Sequence, residues 1–335
     1  MKRIEWIDRM RGVAILTVII QHMCHYLDNR FVFHQLIEMS NMGLFFFISG
    51  YVMTSTSNIT SWKDVAQFVK KKSVHLMIPF LVWPLVIRRY AFSDVWLPVS
   101  LSDIVGEFHN PSLWFLLTLY GYMILGAIYE LILSTTKKVY CKIGVGVFWL
   151  FSFILMIVAW RITNEFQTAV LYMPFFVLGI GVAEYRLLVY MENKTIGWLS
   201  ILSILFMTGF WVSGQQTTVN VLVKFVVTIS VIDIVYIIST KIEWIPSLDY
   251  YVKKCGTYSL AIYCIHFSYI DISKWHAVFP QNEMIGIVVM SGFAIATSGL
   301  CIILKRVIEE FPLADFFMFG SIRLLKNKRN ETVKF

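Results

Sequence analysis

His22 follows Arg11 by eleven residues in the stretch RMRGVAILTVIIQH, residues 9–22. On a helix that interval is close to three full turns, so the two side chains share a face about 16 Å apart. Asp8 and His25 fall on the same face, Ile15 and Val18 fill the apolar gap, and Thr17 points away. An imidazole titrates near neutral pH and can take a hydroxyl proton, while a guanidinium grips phosphate through two parallel N–H bonds. His22 is therefore the candidate base, His25 one turn further on is its rival, and Arg11 is the candidate anion anchor. A plainer reading has Arg11 snorkelling to the membrane interface and His22 bonding a neighbouring helix. On this face alone the two readings weigh equally.

Other residues carry compatible chemistry. The run KKKSVH supplies Lys70, Lys71, Lys72 and His75 as further cations for a phosphorylated ligand, placed by the sequence at the cytoplasmic edge. The favoured reading of those lysines is charge that marks the cytoplasmic side and meets lipid headgroups. His266, in GTYSLAIYCIH, falls about twelve residues into its own apolar span, at a depth similar to His22. It can orient the base, bind an acceptor or pack. Ser49 can donate to an oxyanion or bond its own helix backbone, and packing is favoured. Trp114 and Tyr120, in SLWFLLTLY, can stack on a sugar ring or belong to the interfacial aromatic belt. Asp233 lies deep in a span with no partner evident from sequence, and Lys224, nine residues earlier, can snorkel outward.

The elements that must hold these groups are set by composition. The chain has 335 residues, 58% of them hydrophobic and only 15% charged, with a mean hydropathy of +0.68. That places it among polytopic membrane proteins. Runs of mostly apolar residues suggest an all-α fold of roughly ten transmembrane helices, near 10–27, 40–56, 74–91, 113–134, 141–160, 168–187, 195–213, 220–240, 255–273 and 284–304. The third is interrupted by Pro79 and Pro84 and ends at Arg88 and Arg89. No Pro-, Ser- or Gly-rich linker divides the chain, so residues 1–310 read as one membrane domain and 311–335 as a basic cytoplasmic tail. MKR before an apolar stretch mimics a signal peptide, but no small-residue cleavage site follows, so the first helix is expected to stay.

Charge sets the orientation. Segments that are cytoplasmic when the N-terminus is inside hold about 21 lysines and arginines and the opposite side about five, which places both termini in the cytoplasm. The same bias explains the net charge of +8 without nucleic acid. Five widely spaced cysteines, with no CxxC pair, suggest neither a disulfide framework nor a metal site, and no glycine-rich nucleotide loop is present.

Four segments in order, IDRMRG with Arg11 and His22, then FFFISGY, LWFL and SLAIYCIH, resemble the acyltransferase 3 family of multi-pass membrane acyltransferases, in particular bacterial members that O-acetylate surface polysaccharides. The likeness extends over nearly the whole chain. It implies an acyl-CoA donor, acetyl-CoA by default, used as a co-substrate from the cytoplasmic side, and a carbohydrate hydroxyl as acceptor, in the bacterial cytoplasmic membrane. Transfer from a thioester to an alcohol needs a base, oxyanion donors and cations for the CoA phosphates. His22, His25 and His266, Ser49, and Arg11 with Lys70 to His75 are of those types. The block MGLFFFISG lacks the acidic residue many members carry there, so no carboxylate is assigned a role in it. Two other classes share the composition: a transporter or flippase for a lipid-linked saccharide, and a catalytically silent relative. The absence of an internal repeat disfavours the transporter.

Overall fold

A computed structural model describes residues 4–24, 32–91, 98–135, 138–163, 167–211, 217–269 and 283–321. His25 and Asp271 lie outside these residues. Every regular element among them is helical. The main helices are α1 (Glu5–Cys24), α2 (Val32–Thr56), α3 (Trp62–Ala91), α4 (Leu101–His109), α5 (Trp114–Thr135), α6 (Lys138–Thr163), α7 (Gln167–Glu184), α8 (Lys194–Met207), α9 (Thr218–Lys241), α10 (Pro246–Thr257), α11 (Ser259–Tyr269), α12 (Glu283–Glu309) and α13 (Pro312–Phe319).

Among the described residues, six helices are long and apolar enough to cross a membrane: α3, α5, α7, α9, most of α2 and most of α12. Several helices turn large apolar side chains outward. On α6 these are Leu150, Phe151, Leu155 and Val158, and on α8 they are Trp198, Leu202, Leu205 and Phe206. Water would not tolerate such continuous apolar faces, and hydrocarbon would.

The third helix is longer than its hydropathy suggests. It begins at Trp62 rather than near residue 74, because Ser61 and Asp64 form a capping box. The Ser61 Oγ accepts from the Asp64 N–H at 3.3 Å, and the Ser61 N–H donates to the Asp64 carboxylate at 2.9 Å. Pro79 and Pro84 do not end it. Each proline removes a backbone donor and crowds the preceding turn, and the helix widens into π-helical stretches at Ser73–Met77 and Trp83–Arg88.

The chain divides into two compact units. The first comprises residues 1–55, 174–266 and 270–302; the second comprises 56–173, 267–269 and 303–335. In the first, α2 is buried along the whole of Asn41–Gly50, so the phenylalanine block is core, and a Cβ on Gly50 would overlap the Phe176 carbonyl of α7. Thr228 of α9 donates to the Met39 carbonyl of α2 at 2.9 Å. In the second, α3 and α5 run antiparallel. Val65 packs with Ala127 and Leu131, while Ser73 meets Tyr120.

Candidate active site

In the first unit α10 crosses the start of α1 at two glycines. A Cβ on Gly12 would overlap the Val252 carbonyl, and one on Gly256 would overlap the Asp8 carbonyl, so only glycine permits this approach. Charges lock the crossing. The Arg9 Nε–H donates to Asp249 at 2.6 Å and a terminal N–H of Arg9 donates to the Ser239 carbonyl at 2.9 Å. Lys253 pairs with Asp249 at 2.6 Å and with Glu5 at 3.3 Å. Hydrogen bonds from Arg9, and then from Lys253, hold the Asp249 carboxyl below the usual carboxylate range. Arg9 is thus spent on architecture, and Arg11, two residues on and half-buried, stands beside this crossing on α1.

The chain turns at Tyr258, and α11 then climbs beside α1. Gly256 meets Asp8 and Gly12, and ten residues later the His266 ring lies 5.4 Å from the His22 ring, tilted by 52°. The two histidines differ in setting. His22 is exposed, whereas His266 is 2% exposed. The His266 Nδ1 lies 2.7 Å from the Ile262 carbonyl, which can only accept, so Nδ1 carries the ring proton. The neutral ring then leaves a lone pair on Nε2, which is buried with no hydrogen-bond partner among the described residues. One residue before His22, Gln21 and Asn41 are hydrogen-bonded to each other, and Asn41 also accepts from the Met42 N–H at 2.6 Å. This tie between α1 and α2 escaped the sequence reading, since nothing local distinguishes Gln21 from other polar residues. Ser49 is buried in α2.

Asp233 finds its partner on α8: the Ser200 hydroxyl donates to it at 2.9 Å. Lys224 is buried, at 9% exposure, rather than extended outward.

The second unit carries the other candidates. Lys70, Lys71 and Lys72 lie inside α3, not in a loop before it. They sit between the level where Ser73 meets Tyr120 and the level where Val65 meets Leu131, and so fall within the length of α5. Lys70 and Lys71 are exposed, Lys72 lies over the Phe68 ring, and His75 is exposed on the π-helical stretch. Tyr120 is engaged by Ser73 at 2.8 Å, and Trp114 stacks on Tyr172 at 5.6 Å with 23° between planes. The start of α5 is held by Glu107, which accepts from the Ser112 N–H at 2.6 Å and from its hydroxyl at 3.2 Å. Burial pushes the Glu107 carboxyl up. Among the described residues no cluster of three His, Cys, Asp or Glu side chains has the makings of a metal site. Cys255, Cys264 and Cys301 are buried.

Helices of membrane-spanning length with outward apolar faces, and ionisable side chains held inside them, define a multi-pass membrane protein. The acyltransferase 3 signature, an acyltransferase domain, matches residues 4–306, and the chain belongs to that family of membrane acyltransferases. No curated protein and no solved structure matches it.

Proposed function

We propose that the protein is a membrane O-acyltransferase that moves an acyl group, acetyl by default, from cytoplasmic acyl-CoA to a hydroxyl of a cell-surface or lipid-linked carbohydrate. The observation that carries this reading is the pairing of exposed His22 with buried His266, whose Nδ1 is committed to the Ile262 carbonyl. An exposed imidazole backed by a fixed, neutral one is an arrangement suited to general base catalysis. His22 takes the acceptor hydroxyl proton as its oxygen attacks the thioester carbonyl. The tetrahedral intermediate then collapses, the C–S bond breaks, and the departing thiolate recovers the proton from the imidazolium. His266 backs the His22 ring by contact, with 5.4 Å between ring centroids. His25 remains the rival base.

Arg11 is assigned to the donor phosphates, through its planar fork. In the second unit Lys70, Lys71 and Lys72 are likewise assigned to phosphate as point charges, with His75 beside them. They lie in the first turns of α3, just before its apolar stretch, where a phosphorylated ligand arriving from the cytoplasm would meet them. Ser49 and Trp114 are assigned to the acceptor, Trp114 as a stacking surface, while Tyr120 lies at the level of the α3 lysines, where its hydroxyl meets Ser73. The apolar runs support about ten crossings, the positive-charge bias supports both termini in the cytoplasm, and the likeness to bacterial members of the family supports residence in a bacterial cytoplasmic membrane.

The test is incubation of purified protein with radiolabelled acetyl-CoA and candidate lipid-linked glycans. Label in the glycan supports the reading, and hydrolysis or retention of the donor with every acceptor argues against it. Transport of an unmodified saccharide into vesicles would favour a flippase.

A further inference from the structure

The last turn of α3 carries two consecutive arginines that are held in different ways. Arg89 pairs with Asp103 of α4 at 3.0 Å, and the Asp103 carboxylate is itself fixed by the Ser100 N–H at 2.8 Å. Arg88 is exposed, and its guanidinium lies 5.7 Å over the ring of Phe267. Adjacent residues on a helix do not face each other, so the two side chains leave α3 in different directions. A ring face attracts a cation's charge without accepting its N–H bonds, and among the described residues Arg88 makes no hydrogen bond or ion pair. The Glu107 carboxylate feels the Arg88 charge but accepts its hydrogen bonds from Ser112.

Depth decides which anions can reach this guanidinium. Arg88 follows Lys70 by eighteen residues, about 27 Å along a helix, which is close to the ~30 Å thickness of bilayer hydrocarbon. With Lys70 to Lys72 at the cytoplasmic edge, Arg88 lies at headgroup depth on the opposite side. Lysine and arginine are scarce on that side, so a cation kept there is not explained by sidedness. The anions concentrated in that layer are phosphate esters, carried by phospholipid headgroups and by the lipid carriers of saccharides.

We propose that Arg88, held over the Phe267 ring, is a phosphate-binding residue at the outer face of the second unit, taking the phosphate ester of a lipid-linked acceptor or of a phospholipid headgroup. Its planar fork meets two phosphate oxygens through parallel N–H bonds. Phe267 is a positioning residue, since a long side chain already resting on a ring loses less freedom when its ligand arrives. Phe267 also follows His266 directly in α11, so the same helix carries one member of the histidine pair and the support of the phosphate grip. The acceptor case rests on the acyl-transfer reading and makes the acceptor anionic; the headgroup case does not depend on it.

The experiment reads binding without turnover. The unfolding temperature of the full chain in dodecyl maltoside is followed as farnesyl diphosphate, dihexanoyl phosphatidylglycerol or neutral farnesol is added, since a ligand that binds the folded state raises it. Arg88→Ala is expected to lose part of the rise given by a phosphate compound and none of any rise given by farnesol. Arg88→Lys is expected to recover little of it, and Phe267→Leu to weaken it. Loss with farnesyl diphosphate assigns the site to a lipid-linked acceptor, and loss with the phospholipid alone assigns it to a headgroup. If Arg88→Ala responds to both phosphate compounds like the unaltered chain, the proposal is overturned; Arg88→Gln decides in the same way if Arg88→Ala does not fold. In the acyl-transfer assay, the acceptor case predicts that Arg88→Ala raises KM for a diphosphate-linked saccharide about tenfold or more, with donor KM and the KM of the same saccharide as a neutral alkyl glycoside unmoved. An unaltered chain that acylates no acceptor would remove the acyl-transfer reading, and the temperature shifts would still decide the phosphate site.

Discussion

At the scale of single residues, the site turns on how differently two adjacent histidines are held. His266 is fixed by the Ile262 carbonyl and is nearly inaccessible, so it cannot itself reach a substrate, whereas His22 is exposed beside it. Replacing His266 with phenylalanine keeps a flat ring but removes the Nε2 lone pair. Turnover is expected to fall about tenfold or more, with donor KM unchanged and the pH–rate profile displaced, since the imidazole backing the base would be gone. An unchanged pH profile would make His266 a packing residue. Arg11→Ala is expected to weaken acyl-CoA binding, with lysine rescuing poorly because it lacks the bidentate fork. Full CoA affinity in Arg11→Ala would remove the phosphate role. The depth match of His22 and His266 is legible in sequence because a helix converts residue count directly into distance. Ser200 as the partner of Asp233, and Asn41 as the partner of Gln21, are not legible, because each pair joins helices whose packing no local pattern reports.

At the scale of elements, the α1–α10 crossing sets where α11 begins beside α1, and with it the depth of His266 beside His22. Gly256→Ala would press a methyl group into the Asp8 backbone, which has no rotamer through which to yield, and overpacking of this kind costs about 1–3 kcal/mol. A lowered unfolding temperature in detergent is the expected result, and an unchanged one would show that the helices separate freely. The charge lock predicts a pH effect of definite sign. The folded Asp249 carboxyl is depressed by Arg9 and Lys253, so its stabilisation is present above the ordinary carboxylate range and is lost as pH falls through the folded value. Asp249→Asn is expected to lower stability at neutral pH and to flatten its decline in acid. A parallel decline in both proteins would mean the pair contributes nothing. Helix α3 shows where apolar pattern misleads. Its first turns carry Lys63 and Lys70 to Lys72, which depress the hydropathy on which span-finding relies, yet the Ser61–Asp64 capping box marks the true start. The prolines looked like an interruption, and the π-helical stretches absorb them.

At the scale of the whole molecule, charge bias predicts sidedness. In a background with the five native cysteines replaced, single cysteines at Asn58 and Asn193 are expected to label only from the cytoplasm, and one at Asn110 only from outside. Labelling of Asn58 from outside would invert the chain and place the α3 lysines away from cytoplasmic acyl-CoA. The all-helical architecture was readable because the apolar runs are long, and among the described residues six helices are long and apolar enough to cross a bilayer. How the second unit's C-terminal helix folds back was not, since the sequence reads 311–335 as a basic tail and only the contacts of Trp83, Lys305 and Gly320 reveal the docking of α13. The central claim, transfer of an acyl group with His22 as base, is tested most directly by turnover of radiolabelled acetyl-CoA onto a glycan acceptor in folded His22→Ala, with donor binding measured beside it. The expected result is a loss of about 10²- to 10⁴-fold in transfer with acyl-CoA binding intact. Near-normal transfer in His22→Ala would contradict the assignment, and would pass the role to His25 if His25→Ala proved inactive.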